Sequence, residues 1–184
     1  MIRLPFKTAV AALLALTLGG TASADDGVNL TFDETTNVYW GDPNCDKSLD
    51  GPGMRVSLTD IKSDAGNIRM NLYNNPDTFL DTGARIARID IPARKGDLDA
   101  CLPLPASGKY ALAVLHDEDA DGDYDVLEEG YGFPNNPKLF FGPPDYDEAA
   151  FEVDGEPVQL AIKVRYFYPG SNDDDSSQRR RRRR

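Results

Sequence analysis

The sequence predicts an all-β sandwich of about seven strands. Runs of alternating apolar and polar residues recur along it, turn-forming residues separate them at short spacing, and no stretch carries a strong helical period.

The first run places Met54, Val56 and Leu58 on one face and Arg55, Ser57 and Thr59 on the other. Ser63 to Asn67 reads as a turn, and Ile68, Met70 and Leu72 then alternate with Arg69, Asn71 and Tyr73. The two runs together predict a hairpin. Asn74 to Gly83 is a loop with room for one helical turn around Phe79-Leu80. Ile86–Ile91 is the third strand, closed by Pro92, and Leu98–Leu104 is the fourth. Lys109–His116 is apolar on both faces, which places it centrally in a sheet. After a long Gly/Pro/Asn segment, Gly130 to Asp147, come Glu148–Val153 and the tight turn Asp154-Gly155. In the last run Val158, Leu160, Ile162, Val164 and Tyr166 alternate with polar residues, the clearest period-2 signal in the chain.

The ends are of another kind. Arg3 and Lys7, an apolar Ala9–Leu18 and Ala22-Ser23-Ala24 form the three parts of a secretory signal peptide, expected over 1–24. Its apolar run is too short to span a bilayer. Residues 25–53 form an expected irregular arm with a short strand at Val38–Trp40, and 54–168 form the sandwich domain. Asn29-Leu30-Thr31 matches a glycosylation sequon, a short motif that arises often by chance. Residues 169–184 form an expected disordered C-terminal tail, acidic at Asp173–Asp175 and ending in Arg179–Arg184. The formal charge is −11, and without the signal and tail cations the body is more acidic still. Such a body excludes binding to nucleic acid or an anionic membrane by its own field.

The chain has two cysteines, Cys45 and Cys101, both after the expected signal. An even count in an exported chain points to one disulfide pinning the arm to the domain, with two free thiols as the alternative.

The densest chemical signal is Asp117–Glu128. It fits D-x-[DN]-x-[DN]-G-x5-E without a gap. The pattern places candidate Ca2+ ligands at Asp117, Asp119, Asp121, Asp123, Asp125 and Glu128, with Gly122 at the sharp bend. Eight of the thirteen residues from Asp117 to Glu129 are acidic, and so many carboxylates in one turn repel unless a cation neutralises them. An ordinary acidic surface turn is the alternative, since Asp and Gly also dominate metal-free loops. A strand precedes the loop, so the coordination chemistry carries over and the helix–loop–helix fold does not. The ion expected here is structural.

Several blocks together resemble an exported bacterial family known as "domain of unknown function 2141". They are Tyr110–Asp117, the acidic Gly122 loop, Gly130–Asn136 and Pro144–Phe151, within a span of roughly Met54 to Tyr166. The resemblance implies a periplasmic or secreted sandwich of immunoglobulin-like or prealbumin-like kind. It implies no activity. The arginine tail is not part of the family's pattern, and Asp stands throughout the loop where family members commonly show Asn.

Other candidate sites have plainer alternatives. His116 is the only histidine; it reads either as a general base or as a half-buried strand-end residue bonded to the loop. Adjacent residues on a strand face opposite sides, so Asp117 cannot be its dyad partner. Tyr131, Phe133, Phe140 and Phe141 with Asn135 and Asn136 read either as a sugar-binding face that includes His116, or as a satellite core under a long loop. No nucleophile elbow, zinc cluster, P-loop or dinucleotide fingerprint is present.

The sequence thus predicts a non-enzymatic binding or structural module of the cell envelope, with a structural Ca2+. An envelope polysaccharide or envelope protein is its expected partner. The arginine tail is expected to contact an anionic polymer or membrane surface, and no specific nucleic acid is expected. The rival is a periplasmic or secreted hydrolase or lyase built on His116 and the Asn135-Asn136 loop.

Overall fold

The computed structural model describes residues 29–46, 48–122, 129–139 and 142–167. The expected signal peptide, the tail at 169–184, the candidate ligands Asp123, Asp125 and Glu128, and Phe140 and Phe141 lie outside the described residues.

The described chain is all-β. Its strands are β1 (Asn29–Asp33), β2 (Val38–Asp42), β3 (Gly53–Ile61), β4 (Asn67–Tyr73), β5 (Ala87–Pro92), β6 (Gly96–Pro103), β7 (Gly108–Asp117), β8 (Gly130–Gly132), β9 (Ala150–Val153), β10 (Pro157–Lys163) and β11 (Arg165–Tyr166). Single 3₁₀ turns occupy Pro76–Thr78, Thr82–Ala84 and Tyr146–Glu148. One sheet has three strands in the order β10-β3-β6. The other has eight, in the order β1-β2-β5-β4-β7-β8-β11, with β9 also paired to β7.

The alternation read from the sequence becomes the two inner faces. Met54, Val56, Leu58, Ala100, Leu102, Leu160 and Ile162 of the small sheet pack against Ile68, Met70, Leu72, Ile89, Leu112 and Val114 of the large one. Burying each of the larger side chains contributes roughly 1.5–3 kcal/mol. The Gly-Tyr-Gly of β8 follows from the same packing. A Cβ on Gly130 would stand 2.4 Å from the Tyr166 ring, so only glycine lets that ring lie across the strand.

Three expectations are corrected. The first two runs do not form a hairpin. β3 lies in the small sheet between β10, which is parallel to it, and β6, whereas β4 lies in the large sheet between β5 and β7. The turn between β3 and β4 therefore crosses from sheet to sheet. The last run is two strands. β10 follows β3 as far as Lys163↔Thr59, Val164 N–H donates to Thr59 O, and β11 then pairs with β8 in the other sheet. The arm is more regular than expected. β1 and β2 form an antiparallel hairpin, and β2 runs parallel to β5 at the sheet edge.

Cys45 and Cys101 form a disulfide, with Cα atoms 5.1 Å apart. β2 extends the large sheet while Cys101 sits on β6 of the small one, so the disulfide ties the arm to the opposite layer. Cys101 N–H to Pro43 O, and Tyr39 Oη to Pro103 O at 3.1 Å, join the same two layers.

Candidate metal centre

The acidic loop leaves β7 at the edge of the sandwich. Asp117 is the last residue of that strand. It pairs with Asn67, and its side chain is fully buried at 0% exposure. Arg69 Nη2 stands 3.3 Å from Asp117 Oδ2, within ion-pair reach, yet among the described residues neither Asp117 oxygen accepts a hydrogen bond. A buried carboxylate in that state carries a desolvation cost that a bound cation would offset.

Asp117, Asp119, Asp121 and Glu129 each bring a carboxylate oxygen to within 4.8 Å of the others. A Ca2+ shell is about 4.6–5.2 Å across, so these oxygens fit around one ion. Asp119 and Asp121 are exposed, whereas Asp117 and Glu129 are buried. The set is therefore half embedded in the sheet and half open to solvent. The chain reverses here through left-handed residues, Ala120 at φ 58° and Gly122 at φ 89°. Gly122 stands at the position where the ligand pattern needs its bend.

The segment between β3 and β4 holds the start of the loop. Glu118 meets Lys62 Nζ at 2.5 Å and accepts a hydrogen bond from Ser63 Oγ. Burial raises the Glu118 pKa, but the Lys62 and Ser63 contacts outweigh it and hold the carboxyl below its ordinary value. Gly66 lies directly on the loop backbone, where an added Cβ would stand 1.9 Å from Asp117 O. Arg69 supports the far side, with Nη1 donating to Gly122 O at 2.7 Å and Nε donating to Asp90 Oδ1 at 2.8 Å. Asp90 is also bonded to Arg88. Charges thus alternate across the outer face from β5 to the loop.

His116 points the other way, into the interior, and is fully buried. Its Nε2 lies 2.9 Å from Ala65 O, and a carbonyl only accepts, so Nε2 carries the proton. Nδ1 then accepts from Tyr166 Oη at 2.6 Å. Both ring nitrogens are engaged inside the protein.

The described residues of the expected sugar-binding face hold structural contacts. Tyr131 and Phe133 are buried in a second apolar cluster with Ala111, Tyr146 and Ala149. Asn135 Nδ2 donates to Glu148 O and Ala150 O. Asn136 donates to Ala161 O and accepts from Lys163 N–H, completing the edge of β10. The dimple beside them admits no more than about one water.

Of the candidate ligands, the structure brings together Asp117, Asp119 and Asp121. Glu129, Arg69 and Gly66 were not singled out from the sequence. Glu129 would have been found by register, since it precedes Gly130, which pairs with His116.

No curated protein and no solved structure matches the chain. A family model does match, over residues 56–161, from β3 into β10. The match spans both sheets of the sandwich and the whole acidic loop, more than half of the chain. The chain therefore belongs to the DUF2141 family, described as an uncharacterised protein conserved in bacteria.

Proposed function

We propose that this protein is an exported, non-catalytic β-sandwich module whose acidic loop takes a structural Ca2+, and that it serves in binding or architecture at the cell envelope. The observation that carries the reading is Asp117, a fully buried carboxylate whose two oxygens accept no hydrogen bond from the described residues, standing among three more carboxylates. Four carboxylates converging on one point suit Ca2+, which takes six to eight oxygens in a flexible shell, better than Mg2+, which is usually held by one or two carboxylates and keeps several of its waters.

Two further features support the setting. The Cys45–Cys101 disulfide fits an oxidising environment, and the first 24 residues carry the pattern of a secretory signal. The partner class that suits such a module is an envelope polysaccharide or envelope protein, with the Arg179–Arg184 run contacting an anionic polymer or membrane surface. His116 supports the non-catalytic reading, because a general base needs a nitrogen free to face substrate and both of its nitrogens are engaged.

Melting curves with Ca2+, with Mg2+ and with chelator test the ion. An extracellular module binding at about 10⁻⁴–10⁻³ M gains roughly 1.5–3 kcal/mol at about 10 mM Ca2+. That corresponds to a rise in Tm of roughly 3–10 °C, which Mg2+ should not reproduce. Three superimposed curves would sink the proposal.

A further inference from the structure

We propose that the Cys45–Cys101 bridge is a thiol-exchange site, opened by a dithiol reductant that attacks Cys45 while Arg55 stabilises Cys101 as the departing thiolate. The site is independent of the acidic loop and its ion.

β3 and β6 set Arg55 directly opposite Cys101. Their strand neighbours Met54, Val56, Ala100 and Leu102 fill the core, so Arg55 and Cys101 stand on the outer face of the small sheet. The arm crosses that face. Cys101 N–H donates to Pro43 O at 2.7 Å, and the Leu49 side chain lies against Gly53. Cys101 is 0% exposed beneath it, whereas Cys45, on the arm itself, is only half-buried. The two sulfurs of one bridge therefore differ in access, and an incoming thiolate reaches Cys45 first.

Arg55 adds a difference in charge. Its Nη1 donates to Cys45 O at 3.3 Å and to Cys101 Sγ at 3.5 Å. A guanidinium beside a sulfur stabilises the thiolate over the thiol, and the more stable thiolate is the faster leaving group. The cation thus sits on the buried sulfur, the one that access already makes the leaving group. Steric and electrostatic effects select the same direction of attack.

The exchange runs in two displacements. The thiols of the reductant give their protons to solvent as they ionise. The first thiolate bonds to Sγ of Cys45, the Cys45–Cys101 bond breaks, and its electron pair leaves on Cys101 Sγ beside Arg55. The second thiolate attacks the reductant's own sulfur in the mixed disulfide. That step closes the reductant's disulfide and expels Cys45 as a thiolate, which takes a proton from water. Two electrons pass from the dithiol to the bridge. The arm then keeps its two paired positions between β2 and β5 and loses its covalent tie to β6.

The test uses the full chain, folded and oxidised, without denaturant. β-Mercaptoethanol supplies a monothiol whose mixed disulfide is trapped in acid and located by peptide mapping. Dithiothreitol supplies the dithiol for rates. The trapped adduct should lie on Cys45. Arg55→Met keeps the length of the side chain and removes its charge, and it should slow reduction about tenfold. Arg55→Lys restores a cation and should stay within about threefold of the parent. If Arg55 only packed the arm, Arg55→Met would loosen the bridge and reduction would be faster, which overturns the proposal. An adduct on Cys101, equal rates in the parent and Arg55→Met, or an Arg55→Lys protein as slow as Arg55→Met overturns it too. So does a parent that dithiothreitol leaves oxidised until denaturant is added.

Discussion

Tyr166 donates its phenolic hydrogen to Nδ1 of His116 across 2.6 Å, joining β11 to β7 inside the core. The phenolic oxygen accepts in turn from Lys62 N–H at 3.1 Å, and His116 Nε2 donates to Ala65 O. One neutral tautomer satisfies the whole chain of bonds. Tyr166→Phe removes the donor and leaves Nδ1 buried without a partner. The expected loss is about 1–3 kcal/mol in urea denaturation at neutral pH. Nitrogen NMR of the parent should show the Nε2–H tautomer.

The same residue sets an alkaline limit. Burial pushes the Tyr166 phenol up to about 12 from 10.0. Burial also raises Tyr39, Tyr73, Tyr131 and Tyr146. A raised pKa in the fold means that the unfolded chain gives up its proton first. The contribution is therefore complete below about pH 10 and is lost as pH rises toward about 12. Stability measured across that window should fall, and Tyr166→Phe should show a shallower fall. Parallel curves for parent and variant would remove Tyr166 as a cause.

Gly66 lies hard against the backbone at the start of the acidic loop. Its φ is +65°, and an added Cβ would stand 1.9 Å from Asp117 O and 2.6 Å from Glu118 C, both backbone atoms. Neither can swing away as a side-chain tip would. Gly66→Ala should therefore cost at least about 3 kcal/mol, combining overpacking with left-handed strain. The check is a denaturant melt beside Gly83→Ala, a glycine with nothing within 4 Å of the added Cβ, which should be close to neutral.

The disulfide closes a sequence separation of 56 residues, worth about 4 kcal/mol on the chain-entropy model. Its loss should be felt first in the arm. β2 holds β5 at only two paired positions, Val38↔Arg88 and Tyr39↔Ile89. Reduction should lower Tm and raise amide exchange in β1 and β2 ahead of the core strands. Uniform exchange across both sheets would show that the arm melts with the domain.

The strands were legible in the sequence because an inward face writes itself as period 2, but their partners were not. Val158, Leu160, Ile162, Val164 and Tyr166 keep one alternation through the corner at Val164, since a strand that changes sheets still turns the same face to the core. Met54–Leu58 and Ile68–Leu72 both alternate, and that pattern is the same whether two strands pair or face each other across a sandwich. The hairpin of the arm left no such trace, because Thr31, Phe32 and Trp40 are exposed. The acidic positions and the Gly122 bend were readable directly. Glu129, Arg69 and Gly66 became visible only once β4, β7 and β8 were in register.

Asn136 distinguishes a structural loop from a ligand face. Its amide donates to Ala161 O at 2.9 Å and accepts from Lys163 N–H at 2.8 Å, as a neighbouring strand would along the edge of β10. Its backbone is left-handed, at φ 48°. Asn136→Gly keeps that conformation accessible and deletes only the side-chain bonds. Asn136→Ala deletes the bonds and adds left-handed strain of about 1 kcal/mol. The expected order of stability is therefore parent, then Gly, then Ala, with Asn136→Gly losing about 1–2 kcal/mol for two partly exposed bonds. An amide kept free for a ligand would leave the melt of Asn136→Gly where the parent's is. A shift in that melt, together with faster amide exchange at Lys163, assigns the residue to the edge of the small sheet.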